Sequence, residues 1–125
     1  MIQVKDVVKS FDGNVVLNHV SANFEDGKVN MIIGQSGSGK TVLMKSMIGL
    51  HQIDGGEIVF DTRAGQQNLA GMTEKEVRML HREVGMLFQG AALFDSMTVQ
   101  ENVMYPLEMF SQMSREEMVE RARFC

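Results

Sequence analysis

The chain has 125 residues, of which 44% are hydrophobic and 22% charged, and its formal net charge is -4. This is enough apolar material for one domain with its own core. The acidic balance argues against general nucleic-acid binding, which uses a basic surface. No secretory leader pattern is present, and no run approaches the roughly 18 to 20 apolar residues of a membrane span, so a cytosolic location is expected. The single cysteine, Cys125, cannot form an internal disulfide and fits a reducing compartment.

In chain order, Ile2, Val4, Val7 and Val8 predict a strand with a bulge, Asp12-Gly13 a hairpin turn, and Val20, Ala22 and Phe24 a second, alternating strand. Asp26-Gly27 turns the chain into Val29-Asn30-Met31-Ile32-Ile33, which reads as a buried strand. From Thr41 onward the pattern is helical, with Leu43, Met47 and Leu50 beside Met44 and Ile48. Asp54-Gly55-Gly56 breaks this pattern before a short strand over Glu57-Ile58-Val59-Phe60. Three Ser/Thr-x-x-Glu pairs then predict helix starts as capping boxes: Thr73 with Glu76, Thr98 with Glu101, and Ser114 with Glu117. Between the first two, Val84-Gly85-Met86-Leu87-Phe88 reads as a second buried strand, ending at Gln89. Of the twelve methionines, Met44 and Met47 read as gap-filling core, whereas Met97, Met104 and Met109 are candidates for a deformable partner-docking surface.

Gly34-Gln35-Ser36-Gly37-Ser38-Gly39-Lys40-Thr41 matches the phosphate loop G-x-x-x-x-G-K-[ST] without a gap, in a predicted strand, loop, helix order. Glycines at 34, 37 and 39 let the backbone turn tightly and present successive N–H groups to phosphate oxygens, together with Ser36 and Ser38. The positive end of the following helix adds to that field. Lys40 should reach the β and γ phosphates, and the Thr41 hydroxyl is placed to coordinate magnesium. The implied ligands are ATP and Mg2+. Two strands and a hairpin precede the loop, and Phe11 at that hairpin could offer a flat face for adenine, flanked by Val16.

With Phe11, the phosphate loop, the Gly56-Glu57-Ile58 strand and a loop beginning at Gln89, the chain resembles the N-terminal half of an ABC transporter ATP-binding subunit over essentially its whole length. The resemblance implies an α/β P-loop fold with an N-terminal antiparallel β subdomain over residues 1–30. A core with the glutamine loop would cover 31–97 and the start of a helical subdomain 98–125. It implies that Gln89 contacts magnesium and the attacking water, a task suited to an amide that both donates and accepts. It also implies partners: transmembrane permease subunits and a second ATP-binding subunit, and no nucleic acid. The run from Met86 to Val99, with Glu101-Asn102-Val103 and Tyr105-Pro106-Leu107, is similar to the Mla-type phospholipid transport ATPases. This implies a lipid cargo and a place at the cytoplasmic membrane through the permease.

The signature motif, the second carboxylate strand and the switch histidine of that family have no counterpart in the sequence, and no stop signal follows the last helical pattern before Cys125. Asp61 reads as a strand-end aspartate, and His19, His51 and His81 as surface or structural residues. The expectation is therefore a segment that stops short of the catalytic carboxylates and by itself is inactive in ATP hydrolysis. A non-transport ABC-type ATPase of DNA maintenance or translation, and a non-hydrolysing nucleotide-binding fragment, are the alternative readings.

Overall fold

The computed structural model describes residues 1–62, 65–90 and 92–125. They form two compact units, Met1–Gly85 and Met86–Cys125.

The first unit opens with two long strands, β1 (Ile2–Phe11) and β2 (Asn14–Phe24). They pair antiparallel across a tight turn in which both Asp12 (φ 49°) and Gly13 (φ 81°) take positive φ, the backbone a two-residue hairpin of this twist requires. Next come α1 (Lys40–Met47), β3 (Gly55–Thr62), β4 (Gly65–Asn68), a 3-10 turn (Leu69–Gly71) and α2 (Glu74–Glu83). The sheet order is β2-β1-β3-β4 with every pairing antiparallel.

The predicted bulge decides which side chains enter the core. Val4 and Val7 are both buried although three positions apart, a spacing that in a regular strand would place them on opposite faces. The extra residue is absorbed around Asp6, whose φ is 53° and whose N–H donates to the Ser21 hydroxyl at 2.9 Å. A matching irregularity on β2 brings Leu17 and Val20 to one side, with His19 at φ 51° between them. Asp6 and His19 meet at 2.9 Å (Oδ1 to Nδ1). Val4, Val7, Leu17, Leu43, Met47, Ile58, Phe60 and Leu80 then form one cluster.

All three predicted capping boxes are present, on α2 and, in the second unit, on α3 (Val99–Phe110) and α4 (Arg115–Phe124). At each one the Ser/Thr oxygen accepts the N–H three residues on, and that residue's carboxylate accepts the cap's N–H, at 2.7 Å for Thr73, Thr98 and Ser114.

Two sequence expectations fail in the same way. Residues 29–33 and 84–88 are not strands, and Val29, Met31, Ile33 and Leu87 are 95%, 76%, 84% and 86% exposed. Ile32 and Val84 do pack on the core of the first unit. A strand buried on both faces needs paired neighbours and a second covering layer, and among the described residues nothing supplies either. Two methionine readings are also corrected: Met44 is exposed rather than core, and Met104 is buried rather than available for docking. In both cases the helix face, fixed by its neighbours, overrode composition. Among the described residues no helix is long and apolar enough to cross a membrane.

A candidate phosphate-binding site

The site is built where the chain enters α1. Gly39 stands at its N-cap with φ 89°, and no side chain caps the first turn, so the first amides of the helix remain available as donors. Gly39 is required twice over. Its φ is left-handed, and an added Cβ would lie 3.1 Å from the Val16 carbonyl oxygen and 3.1 Å from Leu17 Cδ2. Strand β2 thus holds the loop from behind. At Gly34 an added Cβ would stand 2.7 Å from the Ser38 hydroxyl, which would have to turn aside to admit it. Ser38 N–H bonds to the Gln35 carbonyl at 3.3 Å and closes the turn through Ser36 and Gly37.

Lys40 folds back across this turn. Its Nζ donates to the carbonyls of Gly34 at 2.9 Å and Gln35 at 2.6 Å. An ammonium held by two carbonyl dipoles is a ready counter-charge for an anion entering the turn. The hollow there has a volume of about 160 Å3 and is lined by Val16 and residues 37–42. Sites that enclose a drug-sized molecule run to roughly 300–1,000 Å3. The hollow is therefore on the scale of phosphate groups.

Val16 and residues 37–41 are thus gathered at one place. Phe11 is not among the lining residues. Its ring, 38% exposed, meets His51 edge-on with centroids 5.3 Å apart, and Lys9 Nζ lies 5.1 Å from its centre. Lys9 is in turn fixed by Asp54 at 2.8 Å, and Asp54 also accepts the Ser10 N–H at 2.6 Å. The Lys9 ammonium, and after it the Ser10 amide, hold the Asp54 carboxyl below the usual carboxylate range. Sequence reading missed this cluster because Lys9, His51 and Asp54 are scattered along the chain and form no motif. Gln89 is exposed in the other unit, beside Gly90 at φ 88°. Asp61 accepts a bond from Gln66 at 2.9 Å, and His81 Nε2 meets the Ile48 carbonyl at 2.6 Å, both structural roles.

Residues 17–124 match the ABC transporter family. The chain belongs to that family. It is 34% identical over 122 residues to the methionine import ATP-binding protein MetN of Rhizobium johnstonii, covering 98% of this chain and 32% of that protein. It is 34% identical to the phosphonates import ATP-binding protein PhnC of Fusobacterium nucleatum, covering 100% and 52%, and 37% identical to the chloroplastic protein TRIGALACTOSYLDIACYLGLYCEROL 3 of Arabidopsis thaliana, covering 96% and 33%. Its fold is that of the ATP-binding cassette MJ0796, solved as a dimer in a post-hydrolysis state bound to ADP and Pi. The TM-score is 0.84 at 29% identity, covering 100% of this chain and 55% of that one. The chain thus spans about a third to a half of the length of the relatives it matches.

Proposed function

We propose that this chain is the nucleotide-binding portion of an ABC transporter ATP-binding subunit, holding the phosphates of ATP between the α1 N-terminus and Lys40. One observation supports this above the others: the Lys40 ammonium and the uncapped first turn of α1 converge on a hollow of phosphate size. In this reading residues 34 and 36–40 supply amides and charge to the phosphates, and Phe11 and Val16 flank the base. Among the described residues no group of three or more His, Cys, Asp or Glu could hold a metal ion. On the family resemblance, Mg2+ would rest on the Thr41 hydroxyl and the nucleotide's own oxygens, with Gln89 assigned to it by the same resemblance. When bound, it neutralises charge on the phosphates. Gln89 orients the attacking water.

The same reading assigns residues 1–30, 31–97 and 98–125 to the antiparallel subdomain, the core with its glutamine loop and the start of the helical subdomain. It makes the whole subunit a cytoplasmic ATP hydrolase that pairs with a second copy and docks on membrane permease subunits. For cargo we propose phospholipid, on the run from Met86 to Val99. Relatives of similar identity are named for methionine, phosphonates, sulfate and a galactolipid. Hydrolysis by the purified transporter complex discriminates among them: stimulation by phospholipid supports the proposal, and stimulation by methionine or sulfate instead opposes it.

Binding of Mg-ATP to the full-length subunit should weaken at least about tenfold in Lys40→Ala, which removes a charge-assisted contact; unchanged affinity would defeat the proposed role of Lys40. The 125-residue chain alone is expected to turn ATP over negligibly. Steady-state hydrolysis by it that disappears in Lys40→Ala would overturn that expectation.

A further inference from the structure

The Phe11 ring is held in place by side chains that no motif joins. Lys9 Nζ lies over it, 5.1 Å from its centre, and His51 meets it at 76° between planes, with centroids 5.3 Å apart. The ammonium is itself fixed, since Asp54 Oδ1 accepts its bond at 2.8 Å and the Lys9 side chain is only 14% exposed. Asp54 Oδ2 accepts the Ser10 N–H at 2.6 Å, and the Asp54 N–H donates to the Val8 carbonyl at 2.8 Å. Asp54 thus stitches the end of β1, which carries Lys9 and Phe11, to the loop after α1, which carries His51. A free lysine samples many rotamers. Bound at its tip, Lys9 is a standing positive charge over a π system, and the edge contact with His51 sets the tilt of the ring. Core packing does not account for the arrangement, because Phe11 is outside the buried cluster and 38% exposed. The phosphate hollow is close by along the sheet: Val16, which lines it, lies on the strand paired with β1, where Ser10 faces Val15 and Phe11 faces Asn14.

We propose that Lys9 is a positioning residue for the base of ATP: anchored by Asp54 and together with His51, it holds Phe11 in one orientation, so that the base stacks on a ring already in place, on the side the ammonium leaves free. The inference rests on the reading of Phe11 given above. All four residues and the phosphate loop lie in the first unit. A pre-set ring spares the base the cost of ordering it on binding, whereas a triphosphate without a base gains nothing from it.

The test compares two ligands of the full-length subunit in the presence of Mg2+: ATP, and inorganic tripolyphosphate, which has no base. Lys9→Met keeps an apolar stem and removes the ammonium. Its affinity for ATP should fall about threefold or more, as expected when a side chain must be ordered on binding, with affinity for tripolyphosphate held within about twofold. Asp54→Asn still accepts the Ser10 N–H but no longer anchors the ammonium by charge, and should show the same selective loss. Unchanged ATP affinity in both variants overturns the proposal. Equal loss for both ligands also overturns it, by making Lys9 and Asp54 residues of the fold alone. In a Phe11→Ala background Lys9→Met should weaken ATP no further, and additive losses would again overturn the proposal. Phe11→Ala is also the control. If it leaves ATP affinity unchanged relative to tripolyphosphate, the reading of Phe11 fails and the positioning role with it; if it weakens ATP while Lys9→Met does not, the positioning role alone fails.

Discussion

Replacing Gly56 with alanine strikes the sheet where β3 meets the β1 bulge. Lys5 pairs with Glu57 and Val8 with Gly55, so Asp6 and Val7 together face the single residue Gly56. A Cβ at Gly56 would lie 2.4 Å from the Asp6 carbonyl oxygen and 2.5 Å from that of Lys5, and φ there is +84°. These are backbone atoms already held by β2, so neither can rotate away. Left-handed backbone costs a non-glycine residue about 1–2 kcal/mol, and forced overpacking costs about 1–3 kcal/mol more. A loss of about 2–5 kcal/mol follows, a large share of the roughly 5–15 kcal/mol that holds a domain together. Gly13→Ala separates the two contributions, because Gly13 also has positive φ, +81°, but an added Cβ meets nothing within 4 Å. It should lose only the conformational part, about 1–2 kcal/mol. Urea unfolding followed by far-UV circular dichroism measures both, with amide exchange at Ile58 as the local check. Tyrosine fluorescence is unsuitable, since the chain has no tryptophan and its one tyrosine, Tyr105, lies outside the first unit. If the two variants fall within about 0.5 kcal/mol of each other, a span typical of surface substitutions, the argument from close approach is refuted.

Ser46 is fully buried on α1, and its hydroxyl has no hydrogen-bond partner among the described residues. Ser46→Ala should stabilise by about 1 kcal/mol, by removing an unpaired polar group and improving helix propensity; destabilisation in urea melts would show instead that the hydroxyl is satisfied. Glu76 and Glu101 are held below the usual carboxylate range first by the backbone amides of Thr73 and Thr98 and then by their hydroxyls, and Asp54 by Lys9 and Ser10. A folded pKa below the unfolded one contributes stability above the unfolded value, near pH 4, and loses it as pH falls through the folded value. Stability should therefore be flat from pH 7 to about 5 and decline in more acid solution, and Glu76→Gln with Glu101→Gln should make that decline shallower; an unaltered acid limb would contradict the capping geometry. The exposed apolar faces of Val29, Met31 and Ile33 predict self-association, visible as a sedimentation coefficient that rises with concentration and is reduced in Val29→Lys with Met31→Lys.

Local chemistry was legible wherever a few neighbouring residues complete the interaction. The hairpin at Asp12-Gly13 and the three capping boxes are such cases, since turn and cap hydrogen bonds close within four residues. The phosphate loop belongs with them in part: Gly34 and Lys40 meet atoms within the motif, whereas Gly39 packs on Val16 and Leu17 of the distant β2. Even the bulge in β1 was visible, because the three-residue step from Val4 to Val7 breaks a period of two.

Tertiary structure alone decided the fate of residues 29–33 and 84–88. Their composition suits strands, but a strand exists only when another segment satisfies its backbone groups, and composition carries no information about whether that segment is at hand. Packing likewise sorted Met44 from Met47, and it assembled Lys9, Phe11, His51 and Asp54 from positions far apart in the chain. The amino-acid order by itself was enough to locate the G-x-x-x-x-G-K-[ST] loop at residues 34–41. Which apolar faces are covered, and what surrounds the aromatic at Phe11, depended on long-range contacts, because burial is a property of neighbours in space.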